Sequence, residues 1–218
     1  MPESSVSSRK PVVQKRRGAG RPAASEVAGR VENLLDVATA VFLKHGYENA
    51  SVSEIARRAC ASKGTIYARF PTKADLFAAV ITRRGLELHV AAAGALVSEI
   101  PLKKVLGDYG VILVREISNS ETRSLHKVVV AALGRFPKLA NHFWDVGPQR
   151  SMNMLGDYLA RRPEFKGKNS EHAAEMFWSL CCGQSILRAL LLEEDDLAEE
   201  AVIFRVREAT RIFLSAYT

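Results

Sequence analysis

The chain has 218 residues, a formal net charge of +7 and 47% hydrophobic residues, which is enough apolar material for a buried core in one or two domains. The three cysteines include an adjacent pair and the N-terminus is polar and basic, so the composition excludes a disulfide-stabilised secreted scaffold. No apolar run reaches the roughly 18–20 residues that cross a bilayer. We therefore expect a cytoplasmic protein that has no membrane partner.

The positive charge is concentrated in the first part of the chain. Residues 1–84 contain 15 Lys and Arg against 7 Asp and Glu, whereas residues 85–218 contain 16 against 17. A basic excess confined to one part is typical of a module that displaces counterions from nucleic acid.

Residues 1–24 are poor in apolar side chains and rich in Ser, Pro, Gly, Lys and Arg, a composition that predicts a disordered basic arm. Arg16, Arg17 and Arg21 form a cluster of the kind that flexible arms insert into the minor groove of DNA. A solubilising tail that makes no DNA contact is the alternative.

Four helices are predicted next. Residues 25–45 carry apolar side chains along one helical face, and Gly46 is a natural end. Residues 51–77 then contain three short helices, for which Ser51, Ser62 and Thr72 are the predicted N-caps, Ser51 within a capping box with Glu54. Two short helices joined by a tight turn, here the first two of the three, are typical of a helix-turn-helix, whose second helix can enter the major groove.

This stretch resembles the DNA-binding segment of the TetR/AcrR family of bacterial transcriptional regulators. The matching residues are Phe42, Gly46, Tyr47, Ser51, Val52, Ile55, Ala56, Ala59, Ser62, Lys63, Gly64, Thr65, Tyr67, Phe70, Lys73 and Leu76. Cys60-Ala61 stands where the family usually has Gly-Val, and Arg69 stands where it often has His.

The start of the second short helix is small, polar and basic, which suits close approach to phosphates. The resemblance and this chemistry together predict an interface with a double-stranded DNA operator. Its residues, besides Arg16, Arg17 and Arg21 of the arm, are Ser51, Ser62, Lys63, Gly64, Thr65, Tyr67, Arg69 and Lys73.

The rest of the chain repeats helical spacing in every segment, and no stretch alternates as a strand does. The predicted fold is therefore all-α. An arm of residues 1–24 precedes a three-helix helix-turn-helix DNA-binding domain of residues 25–72. A helical effector-binding and dimerisation domain of residues 73–218 follows, with a kink or restart expected at Gly147-Pro148.

The last two predicted helices are apolar on more than one side, and a helix with two apolar faces needs two partners. We expect one face to pair with a second copy of the chain in a homodimer, which is also the arrangement that the family resemblance implies. The alternative is that both faces belong to the internal core of a monomer. Asp195 or Asp196 is expected to cap the final helix. The predicted interface residues are Phe177, Leu180, Gly183, Leu187, Leu191, Val202, Val206, Ala209 and Phe213.

The second domain holds both tryptophans of the chain and many of its large apolar side chains, enough to line a pocket between helices. The family resemblance implies that such a pocket binds a small-molecule effector. The candidate lining residues are His126, Phe136, His142, Phe143, Trp144, Met152, Met176, Phe177 and Trp178. Plain core packing is the alternative for each of them.

No nucleotide-binding, metalloprotease or nucleophile–base motif appears, so we expect no enzymatic activity, no cofactor and no metal. The interpretation is a ligand-responsive transcriptional repressor that binds a palindromic operator as a homodimer and is released by an apolar or aromatic effector. A ligand-independent architectural DNA-binding protein with a solid helical domain is the alternative.

Overall fold

The structure is a computed structural model that describes residues 24–192 and 198–218. These ranges contain ten α-helices, one π-helical segment and no strand, which confirms the all-α prediction. The helices are α1 (Ala24–Asn49), α2 (Val52–Arg58), α3 (Lys63–Arg69), α4 (Lys73–Ala95), α5 (Leu102–Ser118), α6 (Ser120–Ala132), α7 (Pro137–Trp144), α8 (Arg150–Ala160), α9 (Ser170–Leu191) and α10 (Glu199–Tyr217). None of the helices in these ranges is long and apolar enough to cross a membrane.

The ends of the first helices follow the sequence signals in all but one case. Gly46 interrupts α1 with a φ of 72°, as its predicted stop requires. Ser62 caps α3 by accepting from the backbone N–H of Thr65 at 3.0 Å, and Thr72 forms a full capping box with Asp75. Ser51, however, makes no capping bond at α2, so the predicted box with Glu54 is wrong.

Glu54 does not form that box, and its carboxylate instead lies near other partners. Its Oε1 lies 3.6 Å from Nη1 of Arg58, one helical turn on, and its Oε2 lies 3.5 Å from Nε2 of His45 on α1. The contact with α1 links the first two helices of the head.

The turn between α2 and α3 has the geometry of a Schellman motif. The N–H of Cys60 donates to the carbonyl of Arg57, and that of Ala61 donates to the carbonyl of Ala56. Cys60 has a φ of 51°, in the left-handed region that glycine adopts most readily. The backbone therefore keeps the path that a glycine would favour, although the side chain is a cysteine.

The segment from Pro137 to Ala160 runs as α7, a π-helical turn from Asp145 to Gln149, and α8. Pro148 lies within the wide turn, where its missing N–H removes one backbone hydrogen bond. The irregularity predicted at Gly147-Pro148 is thus a π-helical turn rather than a break. It lies against α4 at Gly85, where an added Cβ would be 2.6 Å from the carbonyl oxygen of Val146.

Two hydrophobic cores organise the described residues. The head core contains buried residues of α1, α2, α3 and the first half of α4, together with residues of α6 and α7 such as Leu125 and Leu139. The distal core contains the end of α4, all of α5, and α8, α9 and α10, with Tyr109 and Phe177 fully buried. The core beneath the helix-turn-helix therefore continues into α6 and α7.

An aromatic contact and an ion pair also join the end of α1 to the segment between α6 and α7. Tyr47 of α1 packs edge-on against Phe136, with ring centroids 4.7 Å apart, and its neighbour Glu48 pairs with Arg135 at 2.6 Å. Tyr47 is 5% exposed, so it packs in the core as expected.

Candidate nucleic-acid interface and effector cleft

Helix α3 presents one polar face to solvent. Ile66 is its single buried residue and fixes the helix onto the head core. The predicted DNA-contact residues of this helix and its N-cap, namely Ser62, Lys63, Gly64, Thr65, Tyr67 and Arg69, are all exposed. Sequence spacing therefore identified a contiguous face on the protein surface.

The charged groups of that face are available for a ligand. Within the described part of the chain, neither Lys63 nor Arg69 has a carboxylate partner, and Tyr67 is 44% exposed. The hydroxyls of Ser62 and Thr65 share a hydrogen bond of 2.8 Å at the helix start. A small, basic helix start with exposed backbone is suited to the phosphates and base edges of a DNA groove.

Lys73 has a different environment from Lys63. Its Nζ donates to the backbone carbonyls of Glu48 at 2.8 Å and Ala50 at 3.3 Å, and it lies 4.8 Å from the ring centre of Tyr47. Burial lowers its pKa, and the carboxylate of Glu48 partly opposes this effect. The ammonium thus ties the end of α1 to α4, and two of its three donors are already used.

The remaining predicted DNA contacts lie elsewhere. Ser51 is exposed at the start of α2. Arg16, Arg17 and Arg21 fall outside the described residues, so their contacts stay predictions.

A narrow cleft lies between the two cores. The space between its walls, counted together with open solvent and the gaps between atoms, is about 590 Å³. Helices α4, α5, α6, α7, α8 and α9 and the π-helical turn all contribute to its wall. The apolar lining residues are Ile81, Leu88, Leu113, Ile117, Leu125, Phe143, Val146, Pro148, Trp178 and Ile186.

An ion pair forms the main polar feature of the cleft. Arg84 of α4 lies 2.7 Å from Glu116 of α5 and donates to Thr122 of α6 at 3.0 Å, and Thr122 in turn donates to Glu116 at 2.6 Å. Arg84 also pairs with Glu87 at 3.0 Å. This network therefore joins three helices that line the cleft.

Arg83, the residue before Arg84, bonds to α1 of the DNA-binding domain. Arg83 pairs with Asp36 of α1 at 2.6 Å and donates to Thr39 at 3.3 Å. Two consecutive residues of α4 thus have different partners: Arg84 bonds to residues of the cleft wall, and Arg83 bonds to α1.

His126 is the second polar group of the cleft. Its ring packs edge-on against Phe143 at 4.8 Å, and its Nδ1 is buried without a hydrogen-bond partner in the described residues. Burial lowers the pKa of His126 to about 4, so the imidazole is neutral near pH 7.

Three of the nine predicted pocket residues line this cleft: His126, Phe143 and Trp178. The other six lie elsewhere, and their placement corrects the prediction. Met152 and Phe177 are buried in the packed interior, Phe136 packs on Tyr47, and His142 hydrogen-bonds with Thr82; Trp144 and Met176 are 47% and 39% exposed.

Sequence reasoning missed the polar wall of the cleft. Arg84 is three residues after Ile81 and four before Leu88, so it lies on the apolar side of α4. Glu116 has the same relation to Leu113 on α5. A charged residue at helical spacing within an apolar stripe is therefore the sequence signal that could have indicated a polar group in the cleft.

The predicted dimer residues divide into two groups. Leu180, Gly183, Leu187 and Leu191 of α9 are exposed, as an interface requires. Phe177 of α9 and the α10 residues Val202, Val206, Ala209 and Phe213 are buried in the distal core of the same chain, so that part of the prediction is wrong. The exposed apolar residues of α10 are instead Ile203, Phe204 and Ile212.

Two short helices joined by a tight turn, the second of them exposed, polar and basic, together with an all-α body, define a helix-turn-helix DNA-binding protein. Residues 34–80 match the family described as "Bacterial regulatory proteins, tetR family", and residues 104–218 match the "AefR-like transcriptional repressor, C-terminal domain". The second match alone spans more than half of the chain. The chain belongs to the TetR family of transcriptional regulators, which bind DNA and are not enzymes.

Individual relatives agree with this assignment. The chain is 28% identical over 163 residues to the HTH-type transcriptional regulator YvkB of Bacillus subtilis, covering 72% of this chain and 82% of that protein. The solved structure of a TetR-family protein from Mesorhizobium loti has the same fold, with a TM-score of 0.77 at 21% identity, covering 87% of this chain and 97% of that one. The flavonoid-responsive regulator FrrA matches with a TM-score of 0.74 at 27% identity over 88% and 98%.

Proposed function

We propose that this protein is a cytoplasmic, homodimeric transcriptional repressor that binds a palindromic operator and leaves it when a small apolar or aromatic effector binds. The observation that carries the proposal is the position of the cleft, between the core that holds the DNA-binding helices and the core that holds α9 and α10. The match to a repressor-type C-terminal domain supports the sign of regulation.

Dimerisation is supported by the exposed apolar side chains of α9 and α10. They form a surface that a second copy can cover in a four-helix arrangement around a twofold axis. Its members, here called the C-terminal apolar face, are Leu180, Leu187, Leu191, Phe204 and Ile212, which are between 40% and 71% exposed. Leu180, Phe204 and Ile212 line one shallow groove of this face.

DNA recognition would use α3 in the major groove. Lys63 and Tyr67 contact phosphates in this arrangement, and Thr65 and Arg69 lie close to base edges or backbone. The basic arm, including Arg16, Arg17 and Arg21, adds contacts along the minor groove. Lys73 holds α1 to α4 and has one donor left for a flanking phosphate.

The effector would bind in the cleft, where Phe143 and Trp178 offer aromatic surfaces. The similarity to FrrA suggests flat aromatic compounds of the flavonoid type as first candidates. Because an effector shifts an equilibrium only by its differential affinity, it must bind better to the state whose two DNA heads no longer match the operator.

The architectural alternative requires a solid second domain. A cleft whose wall holds an imidazole Nδ1 with no hydrogen-bond partner among the described residues disfavours a solid second domain. A thermal-shift screen of aromatic compounds separates the two, since an effector that binds the folded state raises the melting temperature. An architectural protein gives no stabilising compound.

The operator itself can be found by selecting DNA from a random pool with the full-length protein. We expect a twofold-symmetric sequence, two chains per site by analytical ultracentrifugation, and an affinity that falls steeply with salt. An asymmetric site bound by one chain would remove the homodimer from the proposal.

Deleting residues 1–23 should weaken DNA binding and flatten its salt dependence, whereas an unchanged salt slope would identify the arm as a tail that does not contact DNA.

A further inference from the structure

The charges of the cleft restrict the ligands that it can accept. Among its described lining residues, Arg84 is the one Lys or Arg and Glu116 is the one acid. Arg84 lies between the carboxylates of Glu116 at 2.7 Å and Glu87 at 3.0 Å. An anionic ligand at the guanidinium would compete with the carboxylate of Glu116, whose side chain is 18% exposed, and a displaced Glu116 would be left unpaired in a partly buried site, which is unfavourable.

Two hydroxyl groups in the wall of the cleft already have hydrogen-bond partners, whereas one imidazole nitrogen has none among the described residues. Thr122 both accepts from Arg84 and donates to Glu116, and the Ser151 hydroxyl donates to the carbonyl of Gly147. Nδ1 of His126 is the buried side-chain atom of the described wall that has no partner. A buried polar atom without a partner is costly, and a ligand that satisfies it gains free energy from that site.

The surroundings of His126 define the shape of such a ligand. Phe143 contacts the imidazole edge-on, and Trp178, Ile81 and Leu125 provide further apolar surface in the cleft. A flat aromatic ring against these side chains could place one hydroxyl at the imidazole. The neutral imidazole has one N–H donor and one lone pair. Depending on its tautomer, Nδ1 can therefore donate a hydrogen bond to a hydroxyl group or accept one from it.

We propose that the cleft recognises an uncharged, flat aromatic molecule through a hydroxyl group that hydrogen-bonds to Nδ1 of His126, and that it rejects carboxylated analogues. This inference rests on the proposed function, because it assigns the effector class of the same cleft. It adds the recognition residue and the charge selectivity.

The chain offers a fluorescence reporter for the test. Of its two tryptophans, Trp178 lines the cleft and Trp144 is 47% exposed outside it. The Trp144→Phe variant of the full-length protein therefore reports binding in the cleft through Trp178 emission, corrected for absorption by the compound. The probes are 4′-hydroxyflavone, unsubstituted flavone and flavone-6-carboxylic acid at neutral pH.

In this background we expect 4′-hydroxyflavone to bind about fivefold more tightly than flavone, the size of one neutral hydrogen bond, and the carboxylate to bind more weakly than both. His126→Phe should abolish the preference for the hydroxyl, and His126→Asn, which keeps a donor and an acceptor, should retain part of it. His142→Phe is the matched control, because His142 lies outside the cleft on α7 and bonds to Thr82. That variant should keep the full preference.

Three outcomes overturn the inference: tight binding of the carboxylate, a hydroxyl preference that survives in His126→Phe, or no binding by any of the three flavones. Operator binding of each variant is measured in parallel and verifies folding. If the protein shows no preference for the hydroxyl but flavone still releases it from DNA, the proposed function stands. Compounds that bind the cleft without changing operator affinity contradict the proposed function instead.

Discussion

The head core and the distal core differ in how the chain builds them. The head core joins neighbouring helices α1 to α4 with two helices from far along the sequence, α6 and α7. The distal core is assembled from α5 and α8 to α10, with only the end of α4 added. Helix α4 is therefore shared, and the cleft opens where the two cores meet along it. A ligand bound in the cleft, as we propose, would contact α4, which also packs in the head core with the DNA-binding helices.

The largest effect should come from truncating a leucine in either core. Leu139→Ala on α7 and Leu159→Ala on α8 each remove a buried side chain, and each should cost about 2–4 kcal/mol in the free energy of unfolding. Only Leu139→Ala should speed amide hydrogen exchange in α1, α2 and α3, because only Leu139 belongs to the head core. Equal exchange in both variants would show that the two cores do not open separately.

The next effect concerns His126 at the junction of the cores. Its pKa of about 4 in the folded state is below the value of 6.5 for an unperturbed histidine. The unfolded chain therefore binds the proton first as pH falls, so stability present above about pH 6.5 is lost towards about pH 4. Between these limits the free energy of unfolding of His126→Gln should fall by about 3 kcal/mol less than that of wild type, as measured by urea unfolding.

The wild-type and variant curves must be compared, because burial also lowers the pKa of His89 and adds a loss in the same direction. His89 is present in both proteins, so its contribution cancels in the difference. Parallel curves for wild type and His126→Gln would place His126 in contact with water.

A smaller effect is expected at the DNA-binding face that the head core supports. Lys63→Ala should weaken binding to every DNA sequence by about 1–2 kcal/mol and reduce the salt slope by about one counterion. Lys104→Ala is the control of equal charge, since Lys104 pairs with Asp108 on α5 in the distal half. If both substitutions have the same effect on affinity, net charge rather than contact explains the loss.

The smallest effect tests backbone strain in the head. Cys60 is the one non-glycine residue at positive φ in the described ranges, and it lies in the turn before α3. Cys60→Gly should raise the free energy of unfolding by about 1 kcal/mol, because glycine adopts this conformation without a steric penalty. No stabilisation in thermal or urea unfolding would argue against strain at this turn.

The sequence was sufficient to predict the exposed face of α3, because the residues of that face are contiguous. Capping residues, a proline and one buried position, Ile66, fix the orientation of α3, so exposure follows from helical spacing. The cleft draws its wall from six helices and a π-helical turn, and local spacing cannot tell which aromatic residues converge. Phe177 and Trp178 are adjacent in sequence, yet one is fully buried in the distal core and the other lines the cleft.

The α10 prediction was wrong for a related reason. Periodicity identified two apolar stripes on this helix but not which stripe faces the chain's own core. The stripe with Val202, Val206 and Phe213 packs on Phe177 and its neighbours in the distal core, whereas Phe204 and Ile212 remain outside. Packing within the chain takes the stripe that fits best, and that choice depends on contacts far apart in sequence.

The central claim is that the cleft and α3 are coupled through the junction of the two cores. Its most direct test measures 4′-hydroxyflavone affinity by Trp178 fluorescence in the Trp144→Phe protein, with and without saturating operator, and operator affinity with and without saturating flavone. Linkage requires the two ratios to be equal, and coupling of about 1–3 kcal/mol corresponds to roughly 5-fold to 150-fold. The account predicts that each ligand weakens the other by the same factor in that range. A factor of one, with both ligands bound, would contradict it.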